Sequence, residues 1–337
     1  MINIGVIGYG YWGPNIVRNF MSLPHARVVG VSDLDGESLK RVGALHPDFI
    51  LTQDAMELIN NSSIDAVAVV TPVETHFDLA MAALKAGKHV LVEKPLCQTA
   101  EQAKLLNEEA QKRGLTLMVD HTFLFSGGVR KLRDYVADGT LGNLLYVDSL
   151  RINLGLFQQA VDVIWDLAVH DLSIMEYLLG ETPTRISATG AAHFPGRPMN
   201  TAFATLFYDS GTVAHINVNW LAPVKIRRLL VGGDKKMVVY DELDPSEQIK
   251  LYDKGVDLSD DPKQELMRRV SYRTGDMLAP SLDRIEPLKA MTGHFVDSIE
   301  QSSQPLTHGA MGGRIVALLE AMSSSVKQNG TPVDVNF

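Results

Sequence analysis

Through the first 120 residues, short apolar runs alternate with stretches whose apolar positions recur at helical spacing. Ile2–Ile7 is apolar, and after a glycine-rich loop residues 14–20 carry Ile16, Val17 and Phe20 on one side, with Pro14 suited to a first helical turn. Residues 27–32 and 65–71 repeat the strand pattern, the second halted by Pro72. Phe77, Ala80, Met81 and Leu84 then recur at i, i+3, i+4 and i+7, and Gly87 ends that helix. Residues 89–92 form another apolar run, stopped at Glu93-Lys94-Pro95 because proline cannot continue a sheet ladder. Thr99-Ala100-Glu101-Gln102 reads as a capping box opening a helix that ends before Gly114, and residues 115–119 add a last strand. Buried strands alternating with helices predict an α/β, doubly wound parallel sheet with right-handed crossovers over residues 1–121.

From Gly127 the pattern changes. Helices are expected over residues 129–137 and 163–179, and residues 146–153 read as a strand. Beyond Gly180, strand-like runs follow at 184–192, 201–208, 212–220, 226–231, 237–240 and 249–252, several separated by turn signals such as Asp209-Ser210-Gly211 and Gly232-Gly233-Asp234. Short separations favour antiparallel neighbours, so residues 122–337 should form an α+β domain with a largely antiparallel sheet and helices on one face. Alternations such as Phe203, Thr205, Phe207 and Val213, His215, Asn217 leave the other face mixed in character, and a homodimer or homotetramer contact is expected there. Residues 253–285 read as a polar, irregular excursion. Residues 287–299 and 314–326 read as helices, the last a candidate to pack back on the first domain.

Composition adds limits. A chain of 337 residues exceeds one comfortable core, in keeping with two domains. An apolar fraction of 45% and a charged fraction of 21% are ordinary for a globular protein. A net charge of -9 disfavours nucleic acid, which needs clustered Lys and Arg, yet leaves room for an anionic substrate held by a few arginines. The single cysteine, Cys97, allows no internal disulfide and no multi-cysteine zinc site. No signal-peptide pattern precedes the first strand and no run nears the roughly 20 apolar residues of a membrane span, so a cytoplasmic location without a membrane partner is expected.

Gly8-Tyr9-Gly10-Tyr11-Trp12-Gly13 lies between the first strand and helix. Gly8 suits the tight turn, Gly10 lets the backbone approach a pyrophosphate, and Gly13 allows close strand–helix packing. The second strand ends on Asp33, 20 residues past Gly13, where a carboxylate accepts from ribose hydroxyls and repels a 2'-phosphate. The expected cofactor is therefore NAD rather than NADP; a plain loop aspartate is the alternative. Thr71 and Pro72, like Glu93 and Lys94, fall at the carboxyl ends of strands, the ligand edge of such a sheet. His76, in the first turn of the helix after Pro72, either contacts the cofactor or simply caps. Lys94 either reaches a substrate from a rigid scaffold or closes a strand-end salt bridge.

In the expected helix 163–179, Asp166, His170, Ser173 and Tyr177 share one stripe while Ile164, Ala168, Leu172, Met175 and Leu179 take the opposite one. One face is core; the other holds a carboxylate one turn before an imidazole. Asp166 can orient His170, whose ordinary pKa of about 6.5 suits proton exchange with a hydroxyl; an exposed i, i+4 surface pair is the alternative, and the one that the pair taken alone favours. No ligand cluster accompanies the pair, and no metal is expected.

Taken together, the glycine loop, Asp33, Glu93-Lys94-Pro95 and Asp166 to His170 resemble the glucose-fructose oxidoreductase and inositol dehydrogenase (Gfo/Idh/MocA) family over nearly the whole chain. That resemblance implies a Rossmann domain, an open-faced sheet domain, a nicotinamide cofactor, and a sugar-like or cyclitol substrate in the cleft between them. It gives Lys94, Asp166 and His170 the positions of the family's catalytic lysine, aspartate and histidine. Tyr11 and Trp12 in the loop, Glu93 beside Lys94, and His121 after the last strand complete the expected cofactor contacts. Softer likeness to the nucleotide-sugar branch, which oxidises the 3-hydroxyl of a UDP-linked amino-sugar uronate, rests on His121-Thr122-Phe123-Leu124-Phe125, Arg151-Ile152-Asn153-Leu154-Gly155 and Tyr272-Arg273-Thr274-Gly275-Asp276. Arg151, Asn153 and Arg273 are the expected substrate contacts, guanidinium being able to fork onto a carboxylate or phosphate. The function implied is NAD-linked oxidation of a secondary ring alcohol. Action on a free sugar or inositol, and a non-catalytic NAD sensor on the same fold, are the competing readings.

Overall fold

The computed structural model describes residues 1–155, 161–257 and 271–335, and the chain divides into two units. Met1–Phe125 and Ile285–Glu320 make the first; Ser126–Arg284 and Ala321–Asn336 make the second. Among the described residues no helix is long and apolar enough to cross a membrane.

In the first unit β1 (Ile2–Ile7), β2 (Ala26–Ser32), β3 (Ile50–Thr52), β4 (Ala66–Val69), β5 (His89–Glu93) and β6 (Leu117–Asp120) form one sheet in the order β3-β2-β1-β4-β5-β6. Every pairing in it is parallel. The strand order reverses between β1 and β4, which opens a crevice at the carboxyl ends of these two strands. Helices α1 (Gly13–Met21), α2 (Gly36–Leu45), α3 (Ala55–Ile59), α4 (Val73–Lys85) and α5 (Ala100–Arg113) are the crossovers. Ala66, Val67, Ala68 and Val69 of β4 are all fully buried, as their unbroken apolar run requires of a central strand. The segment α2-β3-α3 escapes the sequence pattern because β3 is three residues long and α2 buries only Ser38, Leu39 and Val42.

Residues 285–320, grouped with residues 122–337 in the sequence reading, belong to this first unit. Helix α8 (Pro287–Glu300) sets Phe295 edge-on to Phe20 of α1, with ring centroids 6.2 Å apart. Thr307 and His308 then cover the outer edge of β6: Val119 N donates to Thr307 O at 2.8 Å, and Met118 bridges His308. Helix α9 (Gly309–Lys327) passes through the division at residue 320.

Among the described residues, nine strands make the sheet of the second unit: β7 (Leu144–Leu154), β8 (Arg185–Ala191), β9 (Thr201–Phe207), β10 (Val213–Asn219), β11 (Leu221–Gly233), β12 (Met237–Asp241), β13 (Ile249–Asp257), β14 (Ser271–Leu278) and β15 (Val333–Asp334). Their order is β14-β13-β12-β11-β7-β10-β9-β8-β15, antiparallel apart from the β7–β10 pair. Along β7, Val147, Ser149 and Arg151 are buried while Tyr146 and Asp148 are exposed, the alternation of a sheet covered on one face. The covering helices are α6 (Gly127–Ala137) and α7 (Val169–Leu179).

Two expectations change here. Residues 253–285 include β14, whose mostly exposed side chains and internal Gly275 hide a strand period; residues 258–270 lie outside the described residues. The expected single helix 163–179 is a π-helical turn, Ile164–Ala168, followed by α7. Asp162 starts this turn by accepting from Ile164 N at 2.9 Å and Trp165 N at 3.2 Å. The wider turn shifts the helix faces, and α7 buries nearly all round: Ser173, expected on the wet stripe, is 1% exposed, and Asp171 is 2% exposed.

Candidate active site

At the end of β1 the chain turns on Gly8, with φ at +98°, where a Cβ would stand 2.4 Å from Val70 O. Any side chain at Gly8 would push β1 and the β4 turn apart. A Cβ on Gly13 would stand 2.6 Å from Gly8 O, so close strand–helix packing also excludes a larger residue there. Gly10 has nothing within 4 Å of its would-be Cβ, leaving backbone open to an approaching phosphate. Tyr11 is 83% exposed and Trp12 half-exposed, their rings edge to face at 5.4 Å. Asp33 Oδ2 accepts from Tyr9 N at 2.5 Å and Oδ1 accepts from Asp35 N at 2.8 Å. The carboxylate thus braces the glycine loop and retains lone pairs for a ribose hydroxyl.

Across the crevice, Thr71 and Pro72 follow β4, and the Thr71 and Thr75 hydroxyls hydrogen-bond at 2.7 Å. His76 does not face outward. It is 1% exposed, its Nδ1 lying 2.8 Å from Pro95 O and its Nε2 2.7 Å from Thr71 O. Burial pushes its pKa down, and a neutral ring donates to one of these carbonyls at a time. His76 therefore ties the turn after β4 to the segment following Lys94.

Lys94 follows Glu93, the last residue of β5, which pairs with Asp120 at the end of β6, and the Lys94 charge acts on Glu93, Asp120, His121 and His76. His121 is 1% exposed, and among the described residues neither of its ring nitrogens has a hydrogen-bond partner. Burial, helped by the Lys94 charge, pushes its pKa down to about 3. A neutral buried imidazole whose donor and acceptor both lack partners is costly unless a ligand satisfies them. With the open backbone at Gly10 and the carboxylate of Asp33, this orphaned ring fits a dinucleotide.

In the second unit, Asp166 sits in the π turn and His170 in the first turn of α7. Trp220, 1% exposed, donates from Nε1 to Asp166 Oδ2 at 3.2 Å, and the Ser173 hydroxyl donates to His170 O at 2.8 Å. Arg151, expected as an oxyanion clamp, is 4% exposed: its Nε donates to Asp171 Oδ1 at 3.0 Å and its Nη1 to Glu242 Oε2 at 3.4 Å, while Arg227 Nη1 reaches Glu242 Oε1 at 2.5 Å. These bonds make it part of a buried ion network within the sheet–helix layer. Arg273 on β14 donates from Nε to Asp253 Oδ1 at 3.1 Å, a cross-strand pair. Asn153 lies near the end of β7, partly buried. Asp120, Asp171 and Trp220 are absent from the sequence reading. No local signal marks their pairing with Glu93, Arg151 and Asp166, each 20 or more residues away, because parallel register brings the first pair together and helix–sheet packing the other two.

A profile described as "Oxidoreductase family, NAD-binding Rossmann fold" matches residues 2–121, and one described as the GFO/IDH/MocA C-terminal domain matches residues 129–239. UDP-N-acetylglucosamine 3-dehydrogenase of Acidithiobacillus ferrooxidans is 30% identical over 256 residues, covering 74% of this chain and 77% of that one. Inositol 2-dehydrogenase 2 of Saccharopolyspora erythraea is 31% identical over 229 residues, covering 64% of this chain and 66% of that one. A levoglucosan dehydrogenase solved with NADH and levoglucosan has a TM-score of 0.84 over 100% of both chains at 19% identity, a likeness of fold.

Proposed function

The chain belongs to the Gfo/Idh/MocA family of oxidoreductases, dehydrogenases acting on CH–OH groups with an NAD-binding Rossmann domain, and from that premise we propose that it oxidises the 3-hydroxyl of a nucleotide-linked sugar. The observation that carries a catalytic reading is Lys94, anchored at the carboxyl end of β5 among the groups that fit the dinucleotide. A pure sensor of NAD has no use for that lysine or for the Asp166–His170 pair.

Bound NAD supplies the hydride acceptor. The chain's own residues then have one proton to manage and one oxygen to stabilise. His170 is the general base for the alcohol, with Asp166 orienting it, and Lys94 places its charge by the oxygen as negative charge develops there. Support for a UDP-linked substrate comes from the similarity to UDP-N-acetylglucosamine 3-dehydrogenase, 30% identical. Similarity to an inositol 2-dehydrogenase, 31% identical, favours a free cyclitol as the second reading. NADH production from UDP-N-acetylglucosamine or its uronate, with none from inositols or free hexoses, is the expected result. The reverse pattern selects the second reading, and NAD binding without turnover on any alcohol selects the sensor.

Assembly belongs to the same proposal. The uncovered face of the nine-stranded sheet exposes Tyr146, Phe203 and Val213, and contact through this face would make a homodimer or homotetramer. Light scattering after size exclusion reads the mass; a monomer at micromolar concentration would remove this part.

A further inference from the structure

Two acidic side chains meet beside Lys94, and the chemistry above gives neither of them a proton to carry. Parallel register sets Glu93 of β5 opposite Asp120 of β6, so both side chains point to the same side of the sheet. Each carboxyl acts on the ionisation of the other, as side chains paired in register do. Asp120 is 7% exposed and Glu93 partly buried. Two carboxyls side by side and largely shielded from water resist ionising together, even with Lys94 favouring the charged forms, and one shared proton relieves both.

Hydrogen-bond donors decide which residue keeps it. Asp120 Oδ1 accepts from Thr122 N at 3.1 Å and from the Thr122 hydroxyl. Glu93 receives one such bond, from the Lys94 backbone amide. Donors favour the ionised form, and Asp120 has the larger share of them. Burial and then the Asp120 charge push the Glu93 carboxyl well up, in the same direction. Among the described residues, His76 and His121 also feel the Lys94 charge, and burial pushes both down.

We propose that Asp120 is a positioning residue for Lys94: it is the ionised member of a carboxyl pair whose shared proton sits on Glu93, and it sets a single negative charge beside the lysine. Glu93 then offers a neutral, hydrogen-bonding carboxyl at the cofactor edge. Asp120's role, though not the location of the proton, rests on the reading of Lys94 as catalytic.

Infrared difference spectra of the ligand-free protein at neutral pH locate the proton. Wild type minus Glu93→Gln should show a protonated-carboxyl stretch that shifts when glutamate carries carbon-13 at its side-chain carboxyl and stays put when aspartate does. A band that follows labelled aspartate, or a difference containing only carboxylate bands, overturns the proposal. Should Glu93→Gln not fold, Thr122→Val serves: removing one donor from Asp120 should pass part of the label sensitivity to aspartate, and an unchanged spectrum overturns the assignment. For the role, Asp120→Asn should lower kcat and displace its pH profile while leaving the Kd for NAD within about twofold. An unaltered kcat and pH profile removes the positioning role whatever the infrared shows. Because the spectra need neither cofactor nor substrate, an error in the substrate class leaves the proton assignment standing.

Discussion

The indole Nε1 of Trp220 donates a 3.2 Å hydrogen bond to Oδ2 of Asp166, joining the residue that follows β10 to the π turn ahead of His170. A donor held by a fully buried ring restricts the rotamers of the carboxylate that, in the proposed mechanism, orients His170. Trp220→Phe removes the donor and keeps most of the ring volume. Turnover should fall on the order of tenfold, the effect of losing one hydrogen bond to a charged group, with NAD affinity unchanged. Steady-state kinetics beside NAD titration would check this, and an unchanged kcat would leave Trp220 as core packing alone.

Lys94→Ala and His170→Ala each delete a group assigned to the proton or the developing oxyanion. Turnover should drop by roughly 10²- to 10⁴-fold in each variant, the usual range for one positioned acid, base or oxyanion donor. Equilibrium binding of NAD should persist, since neither side chain builds the glycine loop. Near-normal turnover in both would defeat the catalytic assignment.

In the proposed reading Asp33 sets the cofactor preference through its charge. Asp33→Asn keeps an acceptor for Tyr9 N but removes the repulsion of a 2'-phosphate, so the NAD-to-NADP ratio of kcat/KM should fall at least about tenfold. A parallel drop with both cofactors, at a constant ratio, would mean that the residue serves only to brace the loop.

Arg151 separates structure from substrate binding in one experiment. Asp171→Ala leaves its guanidinium short of a counter-ion inside the second unit and should cost about 3–5 kcal/mol in denaturant unfolding. Arg151→Ala should likewise lower stability. Full stability together with a raised KM for the sugar would instead restore the expected clamp.

Acid should weaken the fold through His121. In the unfolded chain a histidine titrates at about 6.5, whereas burial holds His121 down to about 3 in the fold. Between those values the unfolded state binds the extra proton, so stability is full above the upper value and is lost as pH falls toward the lower one. His121→Phe removes that linkage. Its unfolding free energy should decline less steeply than wild type across the window, and identical slopes would mean that the ring is solvated or partnered in solution.

Much of the chemistry is written locally in the chain. Gly8, Gly10 and Gly13 are legible because each answers a backbone demand set within a few residues. Asp33, Lys94 and Glu93 are legible because an apolar run that stops on a charge marks the carboxyl end of a strand. The doubly wound order of the first unit follows from the same runs, since buried parallel strands cannot hide their composition. What tertiary structure alone decided lies where partners are distant. Parallel register brings Asp120 against Glu93, and the end of β10 brings Trp220 to Asp166. His76 and Arg151 look like ligand groups in sequence; packing turns the first onto two backbone carbonyls and the second onto Asp171 and Glu242. Periodicity reports which face of an element is apolar, but a polar side chain is satisfied by whatever the completed fold sets within hydrogen-bond reach, and that is a property of the fold rather than of its neighbours in the chain.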